Sequence, residues 1–136
     1  MTEHALADAD YRLLAEFRGT LRRFLAFSEA RAVEVGLTPQ QHQALLAIRA
    51  AEPGAATIGN IAEWLILKPH SASGLVDRLE ALGLLERRVA PSDRRQAQVV
   101  LTDRANAILG QLSVTHREEI RRLGPMLTGL IDRIQG

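Results

Sequence analysis

The chain has 136 residues, a net charge of +1 and no cysteine. That length suits one domain with a real core, and the missing thiols exclude disulfides, thiolate metal sites, a cysteine nucleophile and thiol redox sensing. With 46% hydrophobic and 24% charged residues, no apolar run near the roughly 18 residues of a membrane span and an acidic start (MTEHALADADY), a soluble cytoplasmic protein without membrane contact is expected.

In chain order, Leu14, Phe17, Leu21 and Phe24/Leu25 recur at steps of three and four between Asp8 and Val35. They form one stripe on a long first helix, which Gly36 is placed to end. Thr38-Pro39-Gln40-Gln41 reads as an N-cap, a proline at the first helical position and a capping-box glutamine. The second helix then runs through Leu45, Leu46 and Ile48 to the stop at Glu52-Pro53-Gly54. Thr57-Ile58 is only a scrap of strand. A short third helix follows over about Gly59 to Ile66, and a fourth over Pro69 to Leu82, with Gly83 as its stop.

Leu84 to Val89 and Gln96 to Leu101 suit two strands, with Ala90 to Arg95 as the turn of a hairpin. Thr102 caps a fifth helix with apolar positions at Ala105, Ile108/Leu109, Leu112, Ile120 and Leu123. Gly124-Pro125 is expected to interrupt it, leaving a short sixth helix with Met126, Leu127, Leu130, Ile131 and Ile134. The fold class is mainly α with a small β-hairpin. The two outer helices carry apolar stripes that suit either each other or a second copy of the chain, and a homodimer is expected.

Ile61, Ala62, Leu65, Leu67, Ala72 and Leu75 fall where two steeply crossing helices need small and apolar inner residues, the pattern of a helix-turn-helix. Ile66 departs from it, because the turn commonly holds a glycine. With Ala72, Leu75/Val76 and Leu79 turned inward, His70, Ser71, Ser73, Gly74, Asp77 and Arg78 turn outward. That short, polar face suits the N-terminal part of a helix entering a major groove. A hairpin carrying Arg87, Arg88, Arg94 and Arg95 follows at once, which makes the unit a winged helix whose tip suits a minor groove. Asp93, two residues from Arg95, is placed to brace that guanidinium. Arginine supplies all seventeen basic residues except Lys68, which genomic base composition alone can produce, so position rather than amount carries the reading.

Three stretches resemble the MarR family of bacterial transcriptional regulators: "LVDRLEALGLLERR" (75–88), the wing "PSDRRQAQVVLT" (91–102) and the capped "LTPQQHQALLAI" (37–48). The resemblance implies a single domain over 1–136, with a winged-helix DNA-binding lobe at 38–101 and dimerisation helices at 1–36 and 102–136. It further implies a homodimer that binds a pseudo-palindromic operator, as a repressor more than an activator, and is released by a small aromatic or phenolic ligand. Carried over onto this sequence, it implies that Pro69 to Gly83 is the recognition helix, Arg95 the minor-groove arginine and Asp93 its partner. With the outward face of that helix, the candidate DNA-binding residues are Lys68, His70, Ser71, Ser73, Gly74, Arg78, Arg88, Asp93, Arg94 and Arg95. Arg18, Arg22, His42 and Trp64 are candidate ligand contacts.

Two rival functions are open to the sequence. Catalysis has the residue types (His70, Ser71, Ser73, Asp77), but no nucleophile elbow or glycine-rich phosphate loop accompanies them. The four histidines form no recognisable metal motif, so no metal or cofactor is expected. The other rival is a winged helix used for protein–protein contact, against which the arginine-tipped hairpin argues.

Overall fold

A computed structural model describes residues 5–90 and 93–135, and for 90, 93–96, 119 and 135 it describes the backbone alone. The order is α1 (Asp8–Glu34), α2 (Pro39–Ala50), α3 (Ile58–Leu65), α4 (Pro69–Ala81), β1 (Leu85–Ala90), β2 (Asp93–Leu101) and α5 (Asp103–Gln135). This is a mainly helical winged helix-turn-helix, framed by two long outer helices.

Local chemistry sets the boundaries. The Thr38 hydroxyl accepts from the Gln41 amide at 3.1 Å, while the Gln41 side chain accepts from the Thr38 amide at 3.0 Å, closing the capping box ahead of Pro39. The Thr57 hydroxyl caps α3 through the Asn60 amide at 3.2 Å, and Thr102 caps α5 through the Ala105 amide at 3.3 Å. Gly83 (φ +74°) turns the chain from α4 into β1 in the left-handed region where a side chain is disfavoured. Ile66 adopts the same region (φ 55°, ψ 50°) between α3 and α4, although it is β-branched.

The strands pair antiparallel from Leu85–Leu101 to Val89–Ala97, after which the register jumps to Ala90–Asp93. Residues 93–95 therefore lie in β2 rather than in the expected six-residue turn. The scrap at Thr57 forms an isolated bridge with Gln98, and the Val99 amide donates to the Ala56 carbonyl at 2.9 Å, which ties the wing to the segment entering α3. Leu45, Ile61, Val76, Leu79, Leu85 and Val99 join Ala105, Leu109 and Leu112 in one core. Each fully buried Leu or Ile there contributes about 1.5–3 kcal/mol.

The expected break at Gly124-Pro125 is absent, and α5 continues through Pro125 to Gln135. Proline removes one helical hydrogen bond, but Pro125 stands on the exposed side, where water can satisfy the Arg121 carbonyl. The opposite side packs inward on both flanks, with Leu123 and Leu127 half-buried and Leu130 buried. Outer helices α1 and α5 do pack on each other. Arg133 pairs with Glu16 at 2.6 Å, and the Thr20 hydroxyl lies 3.4 Å from the Met126 sulfur. Phe24 belongs to this packed face and is half-buried, whereas Leu14, Phe17, Leu21 and Leu25 remain exposed beside it. No helix among the described residues is long and apolar enough to cross a membrane.

Candidate nucleic-acid interface

Helix α4 presents two chemically distinct sides. Ala72, Leu75, Val76 and Leu79 are buried against the lobe, as their spacing requires. His70, Ser71, Asp77 and Arg78 are exposed, while Ser73 and Gly74 are half-buried at the margin. The helix starts at Pro69 with no side-chain cap from Lys68. The amides after Pro69 thus have no side-chain cap, and Lys68 at the N-cap is exposed, features that suit an anionic group such as a phosphate. Arg78 folds back along the helix, its Nε donating to the Gly74 carbonyl at 3.2 Å.

The wing stands against the same helix. Alternation along β1 places Leu85 and Arg87 on one face and Glu86 and Arg88 on the other. Leu85 enters the core, and Arg87 turns to α4, where it pairs with Asp77 and reaches Glu80 at 3.6 Å. Asp77, outward by periodicity, is thus engaged by the wing. Arg88 is exposed. Asp93, Arg94 and Arg95 have backbone positions in β2, but their side chains, and with them the Asp93–Arg95 brace, lie outside the described residues, as do Pro91 and Ser92.

The C-terminal end of α4 is fastened to the start of α5. Arg104 donates to the Leu82 carbonyl at 2.8 Å, and the Thr102 hydroxyl donates to the Gly83 carbonyl at 2.7 Å. Arg49 of α2 donates to the Asn106 side chain at 2.7 Å. The Arg104 and Thr102 bonds join the C-terminal end of α4 directly to the start of α5.

A cavity of about 450 Å³ lies where α1, α2 and α5 meet, mostly apolar and lined in part by Phe24, Leu46, Ile120, His42 and His116. The two imidazole rings approach to 5.0 Å between centroids, tilted at 46°. Burial and then the charge of His116 hold His42 below the ordinary histidine value of about 6.5, and burial lowers His116 likewise. The His116 Nε2 atom is buried without a hydrogen-bond partner among the described residues. Such a group costs about 1–3 kcal/mol until something satisfies it.

Of the four candidate ligand contacts, only His42 lines this cavity. Arg18 and Arg22 border a separate open concavity on α1 with Leu14, Phe17, Leu21 and Leu25, and Trp64 is part-exposed on α3. Long side chains on different helix faces do not converge, which a residue-type reading cannot detect. His116 was missed as a partner of His42, yet it carries a signal. It continues the inward series Ala105, Leu109, Leu112 and Leu123 of α5, a polar residue on a core stripe. No group of three or more potential metal ligands occurs among the described residues.

Residues 35–96 match the MarR family model, which bears out the resemblance read from the sequence. The fold is similar to the MarR family transcription regulator SP03579, with a TM-score of 0.78 at 23% identity over 94% of this chain and 86% of that one. It is also similar to AbsC, a MarR family transcriptional regulator from Streptomyces coelicolor (TM-score 0.74, 21% identity, 88% of this chain and 81% of that one). A third similar structure is the transcriptional repressor CouR bound to a 23-mer DNA duplex, with a TM-score of 0.70 and 24% identity over 99% of this chain and 100% of that one. No curated protein sequence matches the chain significantly.

Proposed function

We propose that this chain, a winged helix-turn-helix protein of the MarR type, is a transcriptional regulator that binds duplex DNA as a homodimer. One observation carries the reading: a short-side-chained helix start and an arginine-rich hairpin are held side by side through Arg87. Helix α4 enters the major groove, with Lys68, His70, Ser71, Ser73, Gly74 and Arg78 near bases and phosphates. Arg88 and Arg94 of the wing contact backbone, and Arg95, braced by Asp93, enters the minor groove. The DNA-bound state of CouR supports the mode without fixing the target.

The homodimer is supported by the exposed stripe Leu14, Phe17, Leu21 and Leu25, with Ile131 and Ile134 exposed at the other end of the outer layer. Residues 1–36 and 102–136 build the dimer and residues 38–101 read the DNA. A two-fold dimer with one α4 per groove requires a pseudo-palindromic site with half-sites about 10 base pairs apart. Repression follows when that site overlaps a promoter, and release follows when a small aromatic or phenolic molecule fills the His42–His116 cavity. Footprinting on sequences selected from genomic fragments tests this. Two symmetric half-sites are expected, and protection of a single asymmetric half-site contradicts the reading.

The rival, a protein–protein module, predicts no duplex binding at all. Binding to duplex with a steep salt dependence separates the two.

A further inference from the structure

We propose that the His42–His116 pair makes the cavity between α1, α2 and α5 a proton-linked anion site, which takes up a proton as it binds a small carboxylate or phenolate. The proposal rests on the reading of this cavity as the effector site and adds its charge chemistry. The geometry is specific. Two imidazoles from different elements, α2 and α5, stand 5.0 Å apart in a cavity of about 450 Å³, a size that suits a one-ring molecule. The His116 Nε2 atom is buried with no hydrogen-bond partner among the described residues, so a ligand oxygen reaches and satisfies it only when the His116 ring turns toward the cavity.

The empty and filled cavities differ in what they do to a proton. In the empty cavity burial disfavours the imidazolium, and the nearness of the second ring disfavours two charges further. The other charged residues lining the cavity are Glu29 on α1 and Arg117 on α5, both exposed at its rim and opposite in sign. Helix α2 brings no charged group besides His42 to the lining. An anion in the cavity beside the rings reverses the balance, because it gives an imidazolium a counter-charge out of water. The N–H that the new proton creates donates to the ligand oxygen. One proton comes from solvent, one negative charge comes from the ligand, and the site stays neutral.

Linkage then sets the pH dependence. Above the range where the empty pair titrates, each pH unit lowered strengthens anion binding by up to about tenfold, and a neutral analogue shows no such slope.

The test is calorimetry of the full-length protein with benzoate and benzamide, from about pH 6 to pH 8, in buffers of differing ionisation enthalpy. Benzoate stays ionised across that range. The expected result is uptake of close to one proton per benzoate near neutral pH, none with benzamide, and loss of the uptake in His116→Gln and His42→Gln. Proton number is independent of how much affinity these variants lose by repacking. Imidazole resonances followed by NMR should shift upward in titration midpoint when benzoate is bound. Benzoate binding without proton uptake overturns the linkage and leaves the effector reading standing. Benzamide binding alone does the same. Failure of both probes to bind at any pH overturns both.

Discussion

Arg87 on β1 holds Asp77 and Glu80 on α4, so one guanidinium spans the wing and helix α4. Its side chain is one-third exposed, and an ion pair with that much solvent contributes only about 0.2–1 kcal/mol to stability. Its larger effect is geometric. A hairpin of two strands has no independent stability in water and takes its orientation from what it packs on.

Arg87→Ala should therefore loosen the wing far more than it lowers the unfolding free energy. Affinity for random duplex and selected site should fall together, several-fold, while the denaturation midpoint changes little. Arg87→Lys should recover part of the loss, since a lysine reaches one carboxylate but not both. Faster amide exchange confined to β1 and β2 would confirm the route. Unchanged exchange with lost affinity would instead make Arg87 a direct phosphate contact.

Ile66 predicts an unusual gain. A β-branched residue in the left-handed region costs about 1–2 kcal/mol, and Ile66, at 92% exposure, recovers almost nothing by burial. Ile66→Asn should stabilise the protein by roughly 1 kcal/mol, because asparagine tolerates that conformation. Ile66→Gly should gain less, as glycine also has more freedom to lose from the unfolded chain. Urea denaturation decides it. A lower midpoint for both variants would mean that Ile66 makes a contact outside the chain's own fold.

Much of this was legible because local chemistry left little choice. Thr38-Pro39-Gln40-Gln41 closes the expected capping box, Gly83 turns where a left-handed residue is needed, and Ala72, Leu75, Val76 and Leu79 bury the expected side of α4. What failed was decided by tertiary contacts. Packing of Leu123, Leu127 and Leu130 on the inner side carries α5 past Pro125, against its local preference. The register jump at Val89/Ala90 moves residues 93–95 from turn to strand. In the candidate site, helical periodicity placed Asp77 outward but gave no sign of Arg87 across from it. The His42–His116 approach joins residues 74 positions apart, which no local pattern reports.

The outer helices require a different disruption from simple truncation. Leu130 is buried and Arg133 pairs with Glu16, so cutting at Gly124 removes part of the chain's own packing as well as any dimer contact. A charge on the exposed stripe separates the two. Leu21→Glu or Phe17→Glu should yield folded monomer by light scattering and lose tight operator binding. A variant that stays dimeric would place the interface elsewhere.

Salt dependence distinguishes positioning from reading at the DNA. Arg95→Ala should weaken binding to most sequences alike and flatten the log–log salt plot by about one unit, the loss of one phosphate-neutralising cation. Asp93→Ala should do part of the same damage despite removing a negative charge. Ser73→Ala should cost about 1–3 kcal/mol at particular base pairs only, if its half-buried hydroxyl reads a base. Tighter, unselective binding by Asp93→Ala would reduce that residue to a repulsive charge.

The His42–His116 pair also sets how the stability of the ligand-free protein follows pH. Both are held below the ordinary value of about 6.5 in the folded chain, first by burial and, for His42, also by His116. In the unfolded chain both regain that ordinary value, so below it the unfolded state binds more protons than the folded state. Stability therefore rises with pH in this window. Their contribution is complete above about pH 6.5 and declines as the pH falls from there toward the lower folded-state values. Urea midpoints measured between about pH 7.5 and pH 5 should fall on the acid side. In His42→Gln/His116→Gln the acid-side slope should flatten, whatever the variant's absolute stability, because glutamine cannot take the proton. A double variant whose slope matches the parent's would show that carboxylates elsewhere, not this pair, set the acid limit.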